Sequence, residues 1–167
     1  THSKVGKPGT PDADRIAINA GYWRFHPVRR TFEVFAHGTS NPWGIDFNDF
    51  GEMFAEACVI PHLWHIIPGA RYQRQAGQHF NPNTYEDIHT IADHLHWVGN
   101  IADHAAWKDQ DTVIIPESVS AAGGGHAHSG FSICLIDGFP AEMRNDALFF
   151  NIHGHRLNHD KLKANGS

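Results

Sequence analysis

From residue 15 onward, apolar and polar positions alternate in short runs separated by turn residues. Ile16-Ala17-Ile18, Tyr22-Trp23-Arg24-Phe25 and Thr31-Phe32-Glu33-Val34-Phe35 are such runs, and the last alternates cleanly between two faces. His26-Pro27-Val28-Arg29-Arg30 turns the second run into the third. Ile45-Asp46-Phe47, Met53-Phe54-Ala55 and Leu63-Trp64-His65-Ile66 continue the series, with a turn at Asn48-Asp49-Phe50-Gly51. After Pro116 and Gly123-Gly124-Gly125, the pattern resumes at Phe131 to Ile136 and at Ala147 to Asn151. Short strands with a turn signal roughly every ten residues predict an all-β sandwich, barrel or propeller, not a βαβ fold.

Two stretches depart from this rhythm. Residues 1–14 are rich in Gly, Pro and charge and read as an irregular lead-in. Over 70–110 the period changes. Asn83 with Glu86 has the form of a capping box, Ile88, Ile91, Leu95 and Val98 follow at helical spacing, and Gly99-Asn100 is a stop. The pattern predicts a helix inserted near 84–98. On it His89, Asp93 and His96 would form a solvated stripe.

A weak internal repeat emerges from the strand pattern. Asn41–Phe47, a Gly turn, Met53–Ala57 and Pro61–His65 make one unit. Ala127–Ile133, a Gly turn, Ala147–Asn151 and Gly154–His159 make the other. Each runs strand, Gly turn, strand, polar corner, His-bearing strand, as the blades of a propeller do.

Composition narrows the function. At 167 residues and 41% hydrophobic, the chain has the size of one domain and can bury a core, which excludes intrinsic disorder. A formal net charge of −5 with no Lys/Arg block leaves no electrostatic footprint for nucleic acid. No apolar run approaches the roughly 20 residues of a membrane span. Two cysteines, Cys58 and Cys134, cannot build a disulfide framework, and there is no CxxC. Histidine is the outlier, at 15 residues. The chain opens at Thr1 without a leader and stops at Ser167 just after a strand-like run, so it is expected to be a piece of a longer protein.

Three clusters could carry chemistry. In His37-Gly38-Thr39-Ser40-Asn41-Pro42-Trp43-Gly44, a polar corner enters a strand. There Pro fixes φ and Gly lets the backbone pass close to a ligand, although a tight turn with a packed Trp reads equally well. In Gly125-His126-Ala127-His128-Ser129-Gly130, the two histidines share one face of an extended segment. Such a pair suits a general base with a partner, or two ligands of a metal. In Asn151-Ile152-His153-Gly154-His155-Arg156-Leu157-Asn158-His159, several side chains can hydrogen-bond, and Arg156 offers a fork for a carboxylate or quinone oxygen. A polar corner capping a blade is the alternative for that segment.

EVFAHGTSNPWGIDFNDFGE, YQRQAGQHFNPNTYEDI, GGGHAHSGFSICL and FFNIHGHRLNHDKL, in that order, closely resemble the membrane-bound dehydrogenase domain of Planctomycetes and Verrucomicrobia. That family is similar in turn to the soluble quinoprotein glucose and sorbosone dehydrogenases. The resemblance implies part of a six-bladed β-propeller, about two to three blades, that uses pyrroloquinoline quinone and calcium. It also implies export to the periplasm or cell envelope, and a cytochrome c-like electron acceptor elsewhere in the full-length protein. In the quinoprotein pattern a His two residues before a small-Gly pair acts as general base. Here that position is Ala127, with His126 and His128 on either side. The quinoprotein corner Gly-x-Arg-Asn-Pro-x-Gly becomes Gly38-Thr39-Ser40-Asn41-Pro42-Trp43-Gly44, with Ser40 in place of Arg and Arg156 as a candidate replacement.

The expectation is therefore a quinoprotein-type dehydrogenase domain that oxidises a sugar or alcohol by base-assisted hydride transfer. His126 or His128 is the base, and Asn41, Trp43, His155, Arg156 and Asn158 contact the cofactor. Two rivals stand beside it. One is a propeller module that binds a glycan or a protein. The other is an enzyme whose transition metal is held by His126, His128 and His153.

Overall fold

A computed structural model of the chain describes residues 2–58, 61–74, 77–80, 85–94, 121, 124–125 and 127–165. Over these residues the protein is all-β, in small antiparallel sheets without a closed barrel, as in a fragment of a β-propeller. No helix of seven or more residues occurs among them, and none is long and apolar enough to cross a membrane.

Among the described residues, ten strands form four sheets. β1 (His2–Val5) pairs with β2 (Ile16–Asn19), and β3 (Gly21–His26) with β4 (Thr31–His37). β5 (Pro42–Phe47), β6 (Met53–Ala57) and β7 (Leu63–Ile66) form one meander. β8 (His128–Ile133), β9 (Ala147–Asn151) and β10 (Arg156–Asp160) form another. The two meanders are the two copies of the sequence repeat, each a run of neighbouring strands joined by tight turns. Gly51, at φ 77, closes the first turn of the first copy in a conformation that favours glycine.

β6 lies at the centre. All five of its residues are buried, because both faces of its sheet are covered. Met53, Ala55 and Ala57 join Tyr22, Ala36, Trp64, Ile66 and Tyr72 in a core towards β3–β4. Phe54 on the opposite face joins Leu63, Ile133 and Ala147 in a second core towards β8–β10. Polar ties reinforce the second seam. Asp46 Oδ2 accepts from the Ile133 amide at 2.8 Å, and Arg144 grips both Asp49 oxygens at 2.6 and 2.7 Å. Cys58 and Cys134 are free thiols.

Two expectations need correction. The lead-in is not wholly irregular. His2–Val5 is a strand, because pairing with Ile16–Asn19 satisfies a backbone that has no apolar period of its own. The helix expected near 84–98 is absent over 85–94. There the chain runs extended, with Ile88 in a parallel bridge to Tyr72 and Ala92 in an antiparallel bridge to Leu63. The Ile88 amide donates to Arg71 O and its carbonyl accepts from Gln73 N, so neighbouring strands provide the bonds a helix would have supplied. Residues 84 and 95–98 lie outside the described residues.

Glu56 is the anomaly of the central strand. It is fully buried, and neither carboxylate oxygen has a hydrogen-bond partner. Burial pushes its pKa up to about 7. Between the unfolded value of 4.5 and about 7, the unfolded chain releases a proton that the folded chain keeps. Stability therefore falls as pH rises through that window, by about 3 kcal/mol in all. Thermal unfolding should show that slope in the wild type and lose it in Glu56→Gln, leaving the variant the more stable protein at pH 8. Gly44 sets the spacing of the same seam, since a Cβ there would lie 2.5 Å from Phe131 Cβ. Gly44→Ala should cost about 1–3 kcal/mol in urea unfolding.

Candidate functional site

The ends of β5 and β6 converge with the start of β8. The Cys58 amide donates to Asn41 O at 3.0 Å, and the His128 amide donates to Cys58 O at 3.0 Å. His128 thus enters its strand already fixed to the neighbouring sheet. Its side chain is fully buried, and Nδ1 lies 3.1 Å from Ala57 O. A carbonyl only accepts, so Nδ1 carries the proton.

Cross-strand register extends the site along one face. His128 lies opposite Asn151, and Asn151 lies opposite Arg156. On the same face by strand alternation, Phe149 opposes Asn158 and Ala147 opposes Asp160. Arg156 is half-buried, with Nε donating to Gly154 O at 3.0 Å.

Against this face stands a cluster of imidazoles. The rings of His62, His94 and His128 are mutually separated by 4.8, 5.1 and 5.0 Å between centroids. Phe149 packs on His62 and His128 at 5.0 and 5.3 Å. His94 Nε2 lies 2.8 Å from His128 Nε2. His62 is 1% exposed, and its Nε2 meets Asp160 Oδ2 at 2.9 Å, while its Nδ1 lies 3.6 Å from Asp93 Oδ1. His62 and His128 are buried, whereas His94 is half-buried.

Backbone conformation marks the same place. Thr39, Asn41 and Ala127 all have left-handed φ values, of 66, 44 and 61. For a β-branched threonine this is costly, and its hydroxyl is tied to Tyr22 OH at 3.1 Å. Gly124 and Gly125 lie against the turn at Gly154. A Cβ on Gly125 would fall 2.5 Å from Gly154 N.

The backbone of Asn41 is tied to His128 through Cys58, while Arg156 lies two strands from His128 in the same register, with Asn158 one same-face position further along β10; the Asn41 side chain is exposed. Trp43 and His155 do not join them. Trp43 is 71% exposed at the bulge between Pro42 and Gly44, and His155 is exposed in the turn before β10. His126 lies outside the described residues. His153 is half-buried, and burial, then the neighbouring His155, lowers its pKa. The residues that sequence reasoning missed are His62, His94 and Asp160, and Asn151 stood in the third cluster without a role of its own. His62 stood in the first repeat unit, but nothing local tied it to Asp160, which is 98 positions away.

Two orphaned atoms bear on what the site could hold. Asn151 Nδ2 and Asn158 Oδ1 are both buried without a hydrogen-bond partner. One is a donor and the other an acceptor, on the face that carries His128 and Arg156. Among the described residues, no three His, Cys, Asp or Glu side chains are placed to hold a metal ion. A separate apolar cavity of about 650 Å³, lined by Trp23, Phe35, Ile45, Phe47 and Met53, touches none of these site residues.

His62 carries the packing of this cluster, so His62→Ala should open a cavity and strip Asp160 of its imidazole. Urea unfolding should register a loss of about 2–4 kcal/mol. No protein-family model, curated protein or solved structure matches this chain.

Proposed function

We propose that the chain is a quinoprotein-type dehydrogenase domain that oxidises a sugar or alcohol hydroxyl. The observation that carries this reading is His128. It is a buried imidazole with Nδ1–H pinned to a backbone carbonyl and Nε2 on a second imidazole, in register with Arg156 two strands away. Pinning one ring nitrogen leaves a lone pair of fixed direction on the other, which is the requirement for a general base. The resemblance of four segments to membrane-bound dehydrogenase domains supports the same chemistry.

On this reading the imidazole cluster around His128 accepts the hydroxyl proton. Arg156, Asn151 and Asn158 would hold the quinone, through the guanidinium, a buried amide donor and a buried amide acceptor. When bound, the quinone supplies a two-electron acceptor for the substrate hydride. Phe149 and the buried rings keep water from the base side of the cluster. The substrate is a small sugar or alcohol, and the electrons would pass on to a cytochrome c-like acceptor of an exported protein.

The test is titration of the intact protein with pyrroloquinoline quinone and calcium, read by absorbance and by dye reduction on a panel of sugars and alcohols. Saturable binding with turnover is expected. His128→Leu, which removes both ring nitrogens, should lower turnover about 100-fold or more. Failure of the folded protein to bind quinone would overturn the reading and favour a glycan- or protein-binding module.

A further inference from the structure

We infer that the cleft between β3–β4 and the β5–β6–β7 sheet binds a small amphipathic anion, with an acyl or aryl body and a single carboxylate. The cleft lies apart from the imidazole cluster and does not depend on the dehydrogenase reading. Between the two sheets, the inner space is filled by Ala36, Ala55, Trp64 and Tyr72, all fully buried. Beyond them the filling stops, and a cavity of about 650 Å³ opens beside Met53 and Ile66. Cavities of about 300–1,000 Å³ are the size that takes a small organic ligand. The mouth is apolar too. Ile45 and Phe47 pair with Ala55 and Met53 and so stand on the cleft side of β5, yet they are 51% and 47% exposed. Exposed apolar side chains gathered at a concavity mark a surface that something covers.

The lining decides what that is. Glu52 and His65 border the cavity, but strand register turns the His65 ring to the opposite face. It lies opposite Phe54, stacks on it at 4.9 Å, and sets Nε2 3.9 Å from Glu52 Oε1. The Tyr22 hydroxyl is engaged with Thr39. A peptide entering this cleft would bury its N–H and C=O groups against hydrocarbon, without partners. The occupant is therefore mainly apolar, with its polar group at one end.

Arg24 fixes the chemistry of that end. Its guanidinium carbon sits 4.9 Å from the centre of the Phe35 ring, and Phe35 packs on the core that floors the cleft. Nε donates to Glu33 Oε1 at 2.6 Å, which leaves the Nη pair as the fork for a ligand. A guanidinium only donates, and its planar fork matches a carboxylate. Glu33, on the same wall, opposes the ligand's charge and tempers its affinity.

The experiment titrates the intact ¹⁵N-labelled protein with octanoate and, separately, with 1-octanol, which has the same chain and no charge. Both should bind saturably at one molecule per chain, octanoate the tighter. The amide shifts should centre on Arg24, Phe35, Ile45, Phe47 and Met53. Arg24→Gln should weaken octanoate about 5-fold and leave 1-octanol unchanged. Glu33→Gln still accepts from Nε but removes the opposing charge, so it should tighten octanoate alone. Ile45→Glu, at an exposed position, should abolish both while the urea midpoint stays close to wild type. Shifts that spread over the surface without saturating would overturn the inference, and so would an equal loss of octanoate and 1-octanol in Arg24→Gln. A dimer in sedimentation that Ile45→Glu splits would also overturn it, because a second copy would then cover the cleft.

Discussion

Everything in this chain hangs on β6, a five-residue strand covered on both faces. A strand with one wet face can tolerate its neighbours at many distances, but one buried twice fixes two sheet separations at once. Ala55, Ala57 and Gly44 keep both seams narrow, and the narrowness has a chemical consequence. Where β6 ends, the carbonyls of Ala57 and Cys58 are close enough to β8 to take the ring proton and the amide of His128. Core packing and the orientation of one imidazole are therefore the same constraint seen from two sides.

Much of this was legible in the sequence, and the reason is the period of the strand. Runs such as Thr31–Phe35 and Ala147–Asn151 alternate against clear turn residues, so their positions and even the repeat of two three-stranded units could be read directly. The stretch at 85–94 misled because Ile88 and Ile91 satisfy helical spacing as well as they satisfy two isolated bridges. Local periodicity cannot separate the two when the bonds come from Arg71, Gln73 and Leu63, distant along the chain. The same blindness hid half of the site. His128, Asn41 and Arg156 lie in polar corners flanked by glycine and proline, which announce themselves. His62 and His94 become neighbours only once residue 92 lies beside residue 63. Read as part of a helix, His94 fell off the charged stripe and drew no attention. Trp43 and His155 failed the other way: a polar corner was visible, but the side on which each chain position would stand was not.

Several broken local rules lie near the His128 seam: left-handed Thr39, Asn41 and Ala127, the unpartnered carboxylate of Glu56, and the orphaned amide atoms of Asn151 and Asn158. Others lie elsewhere, with Ala20, Arg30 and Asn145 left-handed in turns and Asn19 Oδ1 and Trp64 Nε1 buried without a partner. Departures of this kind cost of order 1–3 kcal/mol each, and chains retain them mainly where function requires the geometry. A purely structural corner could have been built from an apolar residue at 128 and a glycine at 127. The chain instead holds a buried imidazole directly after left-handed Ala127, ties its inner nitrogen to a carbonyl, and sets its outer nitrogen 2.8 Å from a second imidazole, so its orientation is fixed at both ends.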